Sequence, residues 1–108
     1  MMNVYFSELE GKTLPESTDY LHNKISSYVN SFVGAKSRSI PSEIFVMRDS
    51  DGDICIRVTD DAIGIPKFIL NTMTQIIVKF NLSELRTYIG KSDTKEWTIR
   101  TEIRRNEK

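Results

Sequence analysis

A single cysteine and a single histidine are the first limits on what this 108-residue chain can do. With Cys55 alone there is no internal disulfide, and a reduced, cytoplasmic setting is the expectation. One histidine, His22, beside one cysteine leaves a zinc site short of its usual ligands. Only five glycines occur, and none falls in a Gly-x-Gly-x-x-Gly or Gly-x-x-x-x-Gly-Lys-Ser/Thr run, so no loop for cradling phosphate is indicated. No apolar run approaches the roughly 18 residues that a membrane span needs, and no apolar export segment opens the chain. The formal net charge is zero, which removes the simplest argument for a nucleic-acid protein.

What is present suits one α+β domain over residues 1–108. Hydrophobic residues make up 39% and charged residues 28%, enough for one modest core and too apolar for a disordered chain. The charge is polarised along the chain. Residues 1–61 hold ten acids and six bases, and residues 62–108 hold five acids and nine bases. That separation can orient an encounter with a partner, or it can be two solvated faces.

Periodicity assigns the elements. Alternation in MMNVYFSE predicts a strand at 2–8, with Val4 and Phe6 on one side and Tyr5 on the other. Thr13 and Glu16 have the spacing of a capping box, with Pro15 in the first turn. Leu21, Ile25, Tyr28, Val29 and Phe32 then mark one face of a helix over 14–33. EIFVMRD and DICIRVT flank Asp51-Gly52, which as a two-residue loop predicts a hairpin. In that register Met47 faces Ile56, Phe45 faces Val58, and these form the inner face with Ile54. Ile44, Val46, Arg48, Cys55 and Arg57 take the outer face. Ile69, Met73, Ile76, Ile77 and Phe80 predict a second helix over 66–80, although the β-branched run at 76–78 also suits a strand. LSELRTYI and KEWTIRTEIRR predict a second hairpin, with Leu85, Thr87, Ile89, Trp97, Ile99 and Ile103 inside.

The resulting order is β-α-β-β-α-β-β. Its first six elements match the ferredoxin-like, split βαβ pattern, an antiparallel sheet with two helices on one face, here with an extra carboxy-terminal strand. A fold of this kind says little about function by itself.

The acidic stretch RDSDGDICIRVTDD invites a calcium reading, which fails on position. In an EF-hand loop starting at Asp49 the sixth residue must be glycine, and here it is Ile54. Turn formation explains the Asp-Gly tip better. Asp60 and Asp61 are adjacent, so on a strand they point to opposite faces and do not share a metal. No catalytic residue, metal ligand or cofactor is assigned. A satisfied surface histidine and a buried or half-buried cysteine are expected at His22 and Cys55.

The uncovered sheet face carries the functional expectation. It collects Tyr5, Arg48, Arg57, Arg86, Tyr88, Arg100 and Arg104, a mixture of tyrosine and arginine typical of interfaces. An arginine–glutamate ladder involving Glu102 is the structural alternative. The first expectation is a protein partner: a small bacterial or phage inhibitor, immunity or regulatory protein that occludes its partner's site. Homodimerisation through this face or through the last strand's edge belongs to the same class. Single-stranded nucleic acid on the same face, with Tyr5 and Tyr88 stacking bases, is the alternative. A metal-dependent enzyme using Asp60 and Asp61 ranks third.

Overall fold

The computed structural model describes residues 8–30, 43–58, 67–91 and 97–106. The elements are α1 (Leu14–Asn30), β1 (Glu43–Arg48), β2 (Ile54–Val58), α2 (Lys67–Lys79), β3 (Leu82–Lys91) and β4 (Trp97–Arg105). The predicted strand at 2–8 lies outside the described residues save for Glu8, which begins a turn.

The capping box is formed. The Thr13 amide donates to Glu16 Oε1 at 2.8 Å, and the Glu16 amide donates to Thr13 Oγ1 at 3.3 Å. Two amides that the helix leaves unpaired are thereby satisfied. The core-facing stripe of α1 is Ser17, Leu21, Ile25 and Val29, with Tyr28 half-buried beside it. In α2 the period of about 3.6 residues overrides the strand preference of its β-branched run. Ile69, Thr72, Met73, Ile76 and Ile77 are buried along one face. The helix ends at Asn81, whose φ of 53° is a left-handed conformation that asparagine tolerates better than most residues.

The sheet is antiparallel throughout, in the order β2-β1-β3-β4. Both sides of β1 and of β3 are thus engaged by described strands, and β1 pairs directly with β3. The α+β class, the antiparallel sheet and the two helices match the expectation. The ferredoxin-like order and a seventh element are not shown by these four strands.

The first hairpin differs from its predicted register by one residue. Asp49 pairs with Asp53 through a 2.9 Å bond from the Asp49 amide to the Asp53 carbonyl, so the loop is the three residues Ser50-Asp51-Gly52. Gly52 takes a φ of +88°, the left-handed position at which such loops close. Because side chains alternate along a strand, one extra loop residue moves β1 to the other face relative to β2. Val46 therefore opposes Ile56 and Ile44 opposes Val58. Ile44 and Val46 are fully buried, and Phe45 and Met47 stand on the outer face.

The core lies between the sheet and both helices. Ile44, Val46, Leu85 and Ile89 of the sheet meet Leu21, Ile25 and Val29 of α1 and Ile69, Met73, Ile76 and Ile77 of α2. A bulge between Leu82 and Glu84 lets Leu82 and Leu85, three residues apart, both reach this core. Ser83 Oγ ties the bulge by donating to the Arg104 carbonyl at 3.1 Å. α2 packs on β1 and β3, and α1 packs on α2 and β4. His22 of α1 hydrogen-bonds Thr101 of β4 through Nε2 and Oγ1. Among the described residues no helix is long and apolar enough to cross a membrane.

Candidate interaction surface

The face of the sheet away from the helices is built in rows by strand pairing. Phe45 sits between Arg57 and Arg86, and Arg86 is opposite Glu102. In the next row Tyr88 sits between Glu43 and Arg100. On the other side Met47 sits between Cys55 and Glu84, and Glu84 is opposite Arg104. Aromatic, sulfur-bearing and charged side chains thus alternate across four strands, on the side away from α1 and α2.

Several of these charges are held. The Arg86 guanidinium lies over the Phe45 ring at 4.4 Å and donates through Nε to Glu84 Oε2 at 2.7 Å. Hydrogen bonding to Tyr88, and then to Glu84, pushes the Arg86 pKa up, so its charge is secure. Arg100 lies over the Tyr88 ring at 4.4 Å and pairs with Glu102 at 3.7 Å. The Tyr88 hydroxyl donates to Glu102 Oε1 at 3.3 Å. Stacking fixes each guanidinium while leaving outward N–H groups for a partner. Exposed ion pairs of this kind add little stability, usually about 0–1 kcal/mol. Among the described residues, neither the Arg57 nor the Arg104 guanidinium is held by a hydrogen bond or an ion pair, and both residues are exposed.

The sequence-derived set divides accordingly. Arg57, Arg86, Tyr88, Arg100 and Arg104 do share one face. Tyr5 lies outside the described residues. Arg48 is a correction: it is on the helix side, half-buried, and it donates from Nε to the Leu82 carbonyl at 3.0 Å and from Nη2 to the Ile77 carbonyl at 3.4 Å. Its face followed from the hairpin register, so the one-residue slip carried it inward. Phe45 and Met47 were missed for the same reason. The signal that finds them is the loop itself, since Asp49 followed three residues later by Gly52 suits a three-residue hairpin loop.

The acidic tip is a turn. Asp49 Oδ1 accepts from the amides of Asp51 and Asp53, both at 2.9 Å, so this carboxylate organises the loop backbone. Asp60 and Asp61 lie outside the described residues. Among the described residues no three His, Cys, Asp or Glu side chains gather as metal ligands do. Cys55 is exposed on the outer face, not buried. Slight desolvation, and then the Asp49 carboxylate beside it, raises the Cys55 pKa, which disfavours the thiolate a nucleophile needs. His22 is half-buried, and its burial lowers its pKa despite Asp19.

A groove of about 300 Å³ runs between β2 and α2, lined by Ile54, Ile56, Lys67, Leu70, Asn71 and Thr74. Among the described residues that line it, Lys67 is the only charged one. No protein-family model, no curated protein and no solved structure matches this chain.

Proposed function

We propose that this chain is a protein-binding module that acts as an inhibitor, immunity or regulatory protein, docking its uncovered sheet face over a partner's site. The observation that supports this reading most is the row Arg57–Phe45–Arg86 beside Tyr88–Arg100, on a face that neither helix covers. Aromatic and arginine side chains dominate the energetics of protein interfaces, and here two arginines are held in place on ring faces before any partner arrives. Pre-ordering of this kind lowers the entropy cost of association. The mechanism is steric: a rigid sheet covers a functional surface of the partner and needs no chemistry of its own.

Single-stranded nucleic acid is the second reading, and the same stacking weakens it. Bases need free ring faces, whereas Phe45 and Tyr88 each carry a guanidinium on one face. The face is also close to charge-balanced, since Glu43, Glu84 and Glu102 are interleaved with its arginines.

A tagged chain captured from its native cell, with and without nuclease and at two salt concentrations, separates the readings. A discrete protein retained through nuclease and salt supports docking. Nucleic acid that is lost on nuclease or salt overturns it. The directed test is Arg57→Glu, which is expected to keep the fold and weaken capture of the partner. An Arg57→Glu chain that captures its partner as well as the parent does removes this face from the interaction.

A further inference from the structure

We propose that β2 pairs edge to edge with β2 of a second copy of this chain, antiparallel, about a two-fold axis through Cys55. β2 ends the sheet, and its outer edge meets no described strand. An open edge presents amide and carbonyl groups that a further strand satisfies. Alternation along the hairpin fixes which ones. Asp49 and Asp53 are joined by a backbone bond. Cys55 and Arg57 therefore turn their backbone groups toward β1, and Ile54, Ile56 and Val58 turn theirs outward. With the axis at Cys55, Ile54 of each copy lies opposite Ile56 of the other, and their outward groups meet.

The side chains select a second copy and its register. On the outer face Asp53, Cys55 and Arg57 follow at every second position: an acid, a neutral centre and a base. An antiparallel copy presents that order reversed. Asp53 of each chain then lies opposite Arg57 of the other, with the two Cys55 side chains between them. The Arg57 guanidinium has no ion pair among the described residues that this contact would break. On the helix side the seam is apolar, because Ile56, at 46% exposure, meets the half-buried Ile54 of the copy. Both faces of the seam are therefore self-complementary, as a two-fold interface requires. Neighbouring registers lose this match. An axis at Ile56 opposes Arg57 to Cys55, and an axis at Ile54 opposes Asp53 to Cys55. A slip by a single residue puts the helices of the two copies on opposite sides.

The helix layer leaves room for the approach. α2 packs on β3 and β1, and α1 on β4, so neither helix stands over β2. In the pair the two β1 strands are three strand spacings apart, about 14 Å. Each α2 is centred between β1 and β3, on the far side of β1 from the seam, so the helices stand further apart than the about 10–12 Å that one helix occupies. The seam is only five residues long, so the association is reversible and weak. The inference does not depend on what the outer face binds, and Asp53 lies outside the row named for docking.

Sedimentation of the full chain in reductant, at concentrations up to its solubility limit, tests the pairing. The expected species at the upper end is twice the 12.5 kDa chain mass. Asp53→Arg alone, or Arg57→Asp alone, sets like charges opposite each other at two places and should weaken the dimer on the order of tenfold. The double exchange D53R/R57D should restore it. Far-UV circular dichroism checks that each variant keeps its fold. A parent that stays monomeric throughout, or a dimer indifferent to the single exchanges, overturns the proposal. Cys55 reports the register. Opposed residues of a non-bonded pair have Cα atoms about 4.5 Å apart, within disulfide reach. An added disulfide oxidant, which takes the two electrons and two protons of the thiols, should cross-link the parent. Asp53→Arg should slow that cross-linking at equal concentration, and D53R/R57D should regain the parent's rate. In a Cys55→Ser chain, Ile56→Cys should cross-link more slowly than the parent. The reverse result moves the axis to Ile56 and overturns the register.

Discussion

The two hairpins of this sheet meet the helix layer unequally. β3 and β4 lie beneath helices, α2 over the first and α1 over the second, and a histidine of α1 bonds into the middle of β4. In the other hairpin α2 covers β1 but stops short of β2, so Ile56 on the helix side is exposed, as Cys55 and Arg57 are on the outer face. Ile56 points toward the helix side and still keeps 46% of its surface in solvent. With α1 over the β4 edge, α2 beside it packs on β3 and β1, and β2 lies beyond the helix layer. The strand left over is the shortest, and its alternation of apolar and polar residues contributes little to the core. Equal strand propensity in two segments therefore does not mean equal stability.

The sharpest test of that contrast is a pair of truncations. Leu85→Ala, at a fully buried site on β3, is expected to cost about 2–5 kcal/mol. Ile56→Ala should cost less than about 1 kcal/mol, because its side chain is half in water already. Chemical denaturation measures both. Equal losses would mean that β2 is covered after all.

Arg48→Met comes next. It keeps the aliphatic stem but leaves the Leu82 and Ile77 carbonyls without their donor, at a cost of about 1–3 kcal/mol. If the thermal midpoint does not move, the inward placement of Arg48 is without energetic weight. Gly52→Ala should cost about 1 kcal/mol, from strain at positive φ alone, since nothing lies within 4 Å of the added carbon. A loss well above that would point to a loop tightly coupled to the sheet.

The smallest effect is a slope. His22 is held neutral by burial, with its folded pKa below the ordinary 6.5. The unfolded chain therefore binds a proton first as pH falls. Stability from this site is complete above the unfolded pKa and is lost as pH drops from there through the folded pKa. The carboxylates titrate too, so the measurement is the difference between the parent and His22→Gln in urea midpoint across that window. A difference that does not change with pH would show that His22 is as solvated folded as unfolded.

Local signals were legible in the sequence, and relations between segments were not. Thr13, Glu16 and the α1 stripe act within a few residues, so spacing alone identified them. The run at Ile76-Ile77-Val78 was ambiguous by propensity, and the period of Ile69, Met73 and Ile76 decided it. β1 was misread for a physical reason. Ile44, Phe45, Val46 and Met47 are apolar on both parities, so the strand itself does not say which side is buried. Sidedness came from the loop, and one residue of loop length reversed it. Arg57, Arg86, Tyr88, Arg100 and Arg104 were placed together correctly because β2, β3 and β4 do alternate clearly. The sheet order depends on contacts between distant segments, which no local pattern encodes.

Arg48 has one further consequence, for how the fold opens. Its guanidinium joins the end of β1 to the last turn of α2 and to the first residue of β3. The corner from Ile77 to Leu82 is thereby closed into a ring by a side chain from a third segment. Fraying of the α2 terminus then requires that guanidinium to withdraw from both carbonyls together. The amides around this corner should exchange with solvent as one cooperative unit rather than residue by residue. A helix end, ordinarily the first part of a helix to loosen, becomes here part of the slow-opening interior.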